Sequence, residues 1–119
     1  MIAHVVLFRP RPGLTDAEHA RLADAFSTAV REIPSIRRAR IGERVTHGRP
    51  YEALMTTHYS HAAILEFDDM AGLRAYLEHP AHEAVGRLFF EAFEEALMYD
   101  FAMHEGAEAA ASLANPPLP

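Results

Sequence analysis

The chain has 119 residues, half of them hydrophobic, with a formal charge of −6 and no cysteine. That length suits one domain with its own core. The acidic balance disfavours a phosphate backbone as ligand, so no nucleic acid is expected. No apolar run is long enough to cross a bilayer, so no membrane partner is expected either. Lack of cysteine excludes disulfides, thiolate nucleophiles and zinc–thiolate centres, and suits a cytoplasmic setting.

The first element is "IAHVVLF", residues 2–8, rich in β-branched residues and closed by the turn-forming "RPRPG". Alternation sets Ile2, His4, Val6 and Phe8 on one face and Ala3, Val5 and Leu7 on the other. "TDAE", residues 15–18, is a capping-box pattern. Leu22, Ala25, Phe26, Ala29, Val30 and Ile33 then follow helical spacing up to Pro34. "IRRARIGERVT", residues 36–46, reads as a charged edge strand. Its arginines suit a solvated strand face better than a nucleic-acid site.

Residues 47–58 read as a loop, and "SHAAILEF", 60–67, as the third strand. Asp68 or Asp69 caps a short helix over 70–78 that Pro80 interrupts. A second helical segment, about 81–95, buries Val85, Leu88, Phe89, Ala92, Phe93 and Ala96. "LMYDFAM", 97–103, is the last strand, and 105–119 form a tail that is mobile or docked on a neighbour. The order β-α-β-β-α-β is ferredoxin-like, an α+β fold with a four-stranded antiparallel sheet and helices on one face. Strands one, three and four are apolar on both sides, and one helical layer covers only one of them. A second copy, sheet against sheet, is the simplest cover and implies a homodimer.

"IAHVVLFR", "IPSI", "YSHAAILEF", "YLEHPAHEAV" and "YDF" occur in an order that resembles the stress-responsive dimeric α/β-barrel family, Dabb, over residues 1–104. "YLxHPAH" is the most specific of these pieces. The resemblance implies a dimeric α/β barrel. The family includes plant stress proteins, bacterial members of unknown role and a plant polyketide cyclase. That cyclase closes a linear polyketide thioester by a cofactor-free aldol reaction.

Carried over by motif, the cyclase's catalytic positions fall on His4, Tyr76 and His82. Tyr59 and His61 of "YSH" fall beside the pocket. Phe26 stands where the cyclase has an aromatic hydroxyl, and the 47–58 loop differs in composition, so pocket shape departs from the cyclase's. Some members hold a metal through backbone carbonyls at the end of the first helix. The matching positions are Val30, Ile33 and Ile36, a candidate structural Mg²⁺ site. No cofactor is required for the reaction.

Aldol closure needs a base, a donor for the developing oxyanion and a substrate held folded. His82 is assigned as base, Tyr76 as oxyanion donor, and His4 as the group that orients the substrate. Tyr76 and His82 lie six residues apart, about 600° around an unbroken helix, so the break at Pro80 must set their relative aim. Taken alone, each residue has an ordinary structural reading: core-edge tyrosine, satisfied core histidine, or cap. His79 is expected to cap the helix before the proline, where its charge meets the negative dipole end.

Using His61, His79 and His82 as metal ligands is disfavoured by the Pro-Ala spacer and the missing acidic partner. His19, His47, His58 and His104 read as surface residues. Three functions compete. The first is a cofactor-independent cyclase, lyase or isomerase acting on a carbonyl compound. The second is a non-catalytic stress-related dimer that binds a hydrophobic small molecule. The third is a cofactor-free monooxygenase, which ranks last because the chain has no tryptophan.

Overall fold

The computed structural model describes residues 1–114. Four strands, β1 (Ile2–Pro10), β2 (Arg38–Glu43), β3 (His61–Phe67) and β4 (Phe93–Ala102), form one sheet in the order β2-β3-β1-β4. All pairings are antiparallel. Helices α1 (Asp16–Glu32), α2 (Met70–Glu78) and α3 (Pro80–Ala92) lie on one face. This is the ferredoxin-like arrangement, with the charged β2 at an edge. No described helix is long and apolar enough to cross a membrane.

Local chemistry explains the element ends. The Thr15 side chain accepts the Glu18 N–H, and Glu18 returns the bond to the Thr15 backbone, so the capping box forms at α1. Those bonds from Thr15, backbone then hydroxyl, hold the Glu18 carboxyl below its usual range. Asp69 caps α2 by accepting the Gly72 N–H at 2.9 Å.

Several boundaries differ from the sequence expectation. β1 runs two residues further, to Pro10, because Arg9 and Pro10 still pair with β4. β2 is shorter than 36–46, although the Arg37 and Arg44 N–H groups extend its hydrogen bonding to Glu66 and Ser60. The 47–58 loop holds a 3₁₀ turn, Pro50–Leu54, started by the proline. The tail carries another, Ala107–Ala114; residues 115–119 lie outside the described part.

The largest correction is at the last junction. α3 stops at Ala92, and Phe93, expected in the helix, opens β4. A register shift between Arg9 and Pro10 absorbs one residue of β4, so Phe93 pairs with Pro10 and Ala96 with Phe8. Both therefore stay on the helix side, where they pack with Val6, Phe8, Ala63, Phe26 and Phe89. The apolar period had a real cause, but the backbone carrying it changes type halfway.

The core sits between sheet and helices, around Ala29, Ile33, Leu65, Phe67, Leu73, Tyr76 and Val85. The opposite sheet face carries Val5, Leu7, Ala62 and Ile64, with Leu97, Tyr99 and Phe101 exposed on β4. Nothing among the described residues covers it. Phe67 is fully buried, so Phe67→Ala is expected to cost about 3–5 kcal/mol of stability in urea unfolding. Thr15→Ala, which only removes a cap, should cost about 1 kcal/mol.

Candidate active site

Three elements and one strand edge bring the site together. On β1, His4 faces the helices and is buried. The β1–β4 register places Asp100 directly opposite, and His4 Nδ1 lies 2.6 Å from Asp100 Oδ1. A carboxylate only accepts, so His4 Nδ1–H donates to Asp100 and Nε2 is left facing the site. Asp100 was not singled out in the sequence. It lies in "YDF" of the last strand, and its partner becomes visible only through the strand register.

Tyr76 sits in the last turn of α2, 6 % exposed. Its ring centroid is 5.5 Å from that of His4 and 4.6 Å from that of His82. The hydroxyl makes no hydrogen bond with any described residue. Burial, and then the Asp100 charge, push the phenol up to about 12. Tyr76 therefore keeps its proton across the neutral range and offers it as a donor.

His82 lies in the first turn of α3, and its Nδ1 is 3.1 Å from the Leu77 carbonyl. A carbonyl only accepts, so Nδ1–H donates across the helix break and Nε2 is the proton-accepting nitrogen. Burial holds the His82 pKa below its ordinary value, helped by His4 and opposed by the Leu77 bond. The imidazole is therefore neutral at pH 7, the form a base requires.

The break itself rests on His79, which closes α2 and opens α3. Its Nδ1 accepts the Ala81 N–H at 3.0 Å. His79 is thus a cap, as expected, but for the helix that follows and not for the negative end of α2. Pro80 at the first position of α3 needs no N–H donor there, which frees His79 to serve the next residue.

The remaining candidates do not join this group. Phe26 and His61 line an apolar cavity of about 310 Å³ with Phe8, Phe89 and Phe93. His61 stacks on Phe8 and bonds Ser60. Tyr59 lines a larger concavity of about 1070 Å³ on the uncovered side of the sheet, reached by His61 as well. His4 and Phe8 are about 13 Å apart along β1, with buried Val6 between them. His4, Tyr76 and His82 line neither cavity.

His61, His79 and His82 do not gather as ligands: among the described residues no cluster of three metal-binding side chains occurs. His19, His47, His58 and His104 are exposed, as expected. At the end of α1, Val30 lacks its helical donor because residue 34 is proline. The Ile33 carbonyl meets the Ile36 N–H only at 3.4 Å, and the Ser35 hydroxyl is buried without a partner among the described residues. Neutral oxygens in such a turn fit a hard cation such as Mg²⁺, with Val30, Ile33 and Ile36 as the carbonyls that would hold it.

Comparison with known proteins follows the same lines. The chain is 22 % identical over 100 residues to olivetolic acid cyclase of Cannabis sativa, covering 84 % of this chain and 94 % of the cyclase. A hydroxynitrile lyase from Passiflora edulis superposes with a TM-score of 0.74 at 16 % identity, over 88 % of this chain and 94 % of the lyase. A dimeric ferredoxin-like protein of unknown function from Thermobifida fusca gives a TM-score of 0.66 at 24 % identity, over 86 % and 90 % of the two chains. Residues 2–103 match the model of the stress responsive A/B barrel domain, and the chain belongs to that family, Dabb.

Proposed function

We propose that the protein is a cofactor-independent acid–base enzyme that makes or breaks a carbon–carbon bond next to a carbonyl group. The contact series Asp100–His4–Tyr76–His82 carries this reading. It supplies a neutral imidazole with a free nitrogen, a phenol that stays protonated and a second imidazole fixed by a carboxylate. A polyketide cyclase and a hydroxynitrile lyase among similar proteins support this kind of chemistry.

Composition narrows the route. All eleven non-histidine basic residues are arginines. With no lysine and no cysteine, side-chain Schiff-base and thiolate routes are closed, and proton transfer is the chemistry left to these residues. In the forward direction, His82 Nε2 takes a proton from the carbon beside the carbonyl. The electron pair moves onto the carbonyl oxygen, which Tyr76 stabilises by donating a hydrogen bond. The enolate carbon then attacks a second carbonyl, and protonated His82 returns its proton to the new alkoxide. Cleavage runs the same steps backwards. His4, held by Asp100, orients the carbonyl compound. A cation at Val30, Ile33 and Ile36 would brace the end of α1 and take no part in these steps.

The acting unit is a homodimer in this reading, with the uncovered sheet faces packed together. Dimeric ferredoxin-like relatives support it, as does the apolar face bearing Leu97, Tyr99 and Phe101. Light scattering at micromolar concentration should give twice the chain mass, and Tyr99→Arg should halve it; a monomeric wild type would contradict the assembly. The second reading, a dimer that only binds a hydrophobic molecule, draws on the apolar Phe26 cavity.

Kinetics on a carbonyl substrate separates the two. His82→Ala is expected to lower turnover by about 10²–10⁴-fold, the usual worth of a general base. Tyr76→Phe should lower it by about 10²-fold or more, with circular dichroism unchanged. Because His82 is held below its ordinary pKa, the acid limb of the rate profile should lie below pH 6.5 and vanish in His82→Ala. Protonating a histidine whose folded pKa is lowered also costs stability, so unfolding free energy should fall as pH drops below 6.5, less so in His82→Ala. A rate indifferent to both substitutions would leave only the binding role.

A further inference from the structure

The two edges of the sheet carry opposite charge. Along β2, from residue 36 to 44, Arg37, Arg38, Arg40 and Arg44 stand against Glu43 alone. Through β4 and beyond it, from residue 91 to 108, Glu91, Glu94, Glu95, Asp100, Glu105 and Glu108 occur with no lysine or arginine. Arg37 and Arg40 are engaged by Asp68 and Glu66. Arg38, Glu105 and Glu108 are exposed and make no ion pair among the described residues.

Two sheets packed face to face about a two-fold axis can align in two ways. An axis across the strands lays β2 on β2 and β4 on β4, like charge on like. An axis along the strands, between β3 and β1, brings each β2 beside the β4 of the second copy. The opposite charges of the edges select the second arrangement. Such an axis preserves height along the strands. Arg38 pairs with Glu66, Glu66 with Ala3, and Ala3 with Phe101. Arg38 of a second copy therefore stands level with Phe101, where β4 is ending.

The chain continues beyond the family match, which ends at residue 103. Met103 N–H still bonds the Met1 carbonyl, Gly106 turns the backbone at a φ of 68°, and Ala107–Ala114 forms a 3₁₀ helix. Such runs seldom exceed about four residues. This one has eight, none of them buried, and Leu113 is 87 % exposed. The radius of gyration is 16.1 Å, against about 13 Å for a compact domain of this length. The chain's own β2 lies three strand spacings from β4, about 14 Å away, beyond β1 and β3. The β2 of a second copy lies next to it.

We propose that residues 103–114 of each copy strap the β2 edge of the other, with Glu105 and Glu108 meeting Arg38. The strap rests on the homodimer proposed above and adds to it an occupant for the exposed edge. An edge strand leaves a row of backbone groups unpaired, and a covering segment keeps them from unwanted pairing. The exchange is reciprocal, so two straps hold the dimer, one at each edge.

Because the chain has no cysteine, engineered thiols report on the strap without background. The full-length double variant Arg38→Cys with Glu105→Cys, oxidised with copper phenanthroline, should run as a disulfide-linked dimer on a gel without reductant. Either single variant should run as a monomer. A disulfide closed within one chain, no disulfide, or equal linkage in the single variants would overturn the strap. In sedimentation velocity, Arg38→Glu should weaken self-association about tenfold. Adding Glu105→Arg and Glu108→Arg should restore most of it, and failure to restore any also counts against the strap. A wild type that is monomeric in light scattering removes the dimer and the strap together, whereas a dimeric wild type without the cross-link removes the strap alone.

Discussion

The site depends on the register between β1 and β4. Strand side chains alternate with a period of two, so a slip of one residue sends every side chain to the other face. With His4 opposite Asp100, the imidazole turns toward the helices and its carboxylate partner lies on the same side. The same register puts Val6 opposite Met98 and Phe8 opposite Ala96, which sets the core and the open edge together. Shifted by one, His4 would face the bare side, far from Tyr76. The apolar residues of β1 that oppose such a slip, Val6 and Phe8, thus maintain the geometry of a polar group two residues away.

A second constraint acts through the backbone between α2 and α3. An unbroken helix would aim Tyr76 and His82 apart. His79 and Pro80 end one helix and start another with no intervening loop. The change of axis folds the imidazole of His82 back over the phenol, and the Leu77 carbonyl holds it there. Two of the four polar residues that meet on the core side of the sheet are thus placed by a capping arrangement of one histidine and one proline. The outcome is a short stretch of helix boundary whose side chains have defined tautomers as well as defined positions.

Much of this was legible in the sequence, for reasons that differ by residue. The β1 pattern, the Thr15–Glu18 box and the Pro80 break are local signals, and each appears where its chemistry requires. His4, Tyr76 and His82 were named from motif positions, and their rings do meet. Asp100 was not, because a cross-strand partner 96 residues away leaves no local trace. The separation of Phe26, Tyr59 and His61 from the other three was also hidden. Motif order says which residues neighbour a pocket, but cavity shape depends on volumes such as that of Val6. The end of α3 was misplaced because helix and bulged strand impose the same inward set on Phe89, Phe93 and Ala96.

That coincidence has a consequence for the backbone at the α3–β4 junction. Residues 93–96 send the same side chains inward in either conformation, so hydrophobic burial does not decide between them. What decides is the ladder with Arg9 and Pro10, together with the Arg11 N–H and guanidinium reaching the carbonyls of Ala92 and Glu91. The junction is therefore a seam whose place burial alone does not fix. The residues that fix where the seam lies, Arg9, Pro10 and Arg11, belong to the other end of the chain.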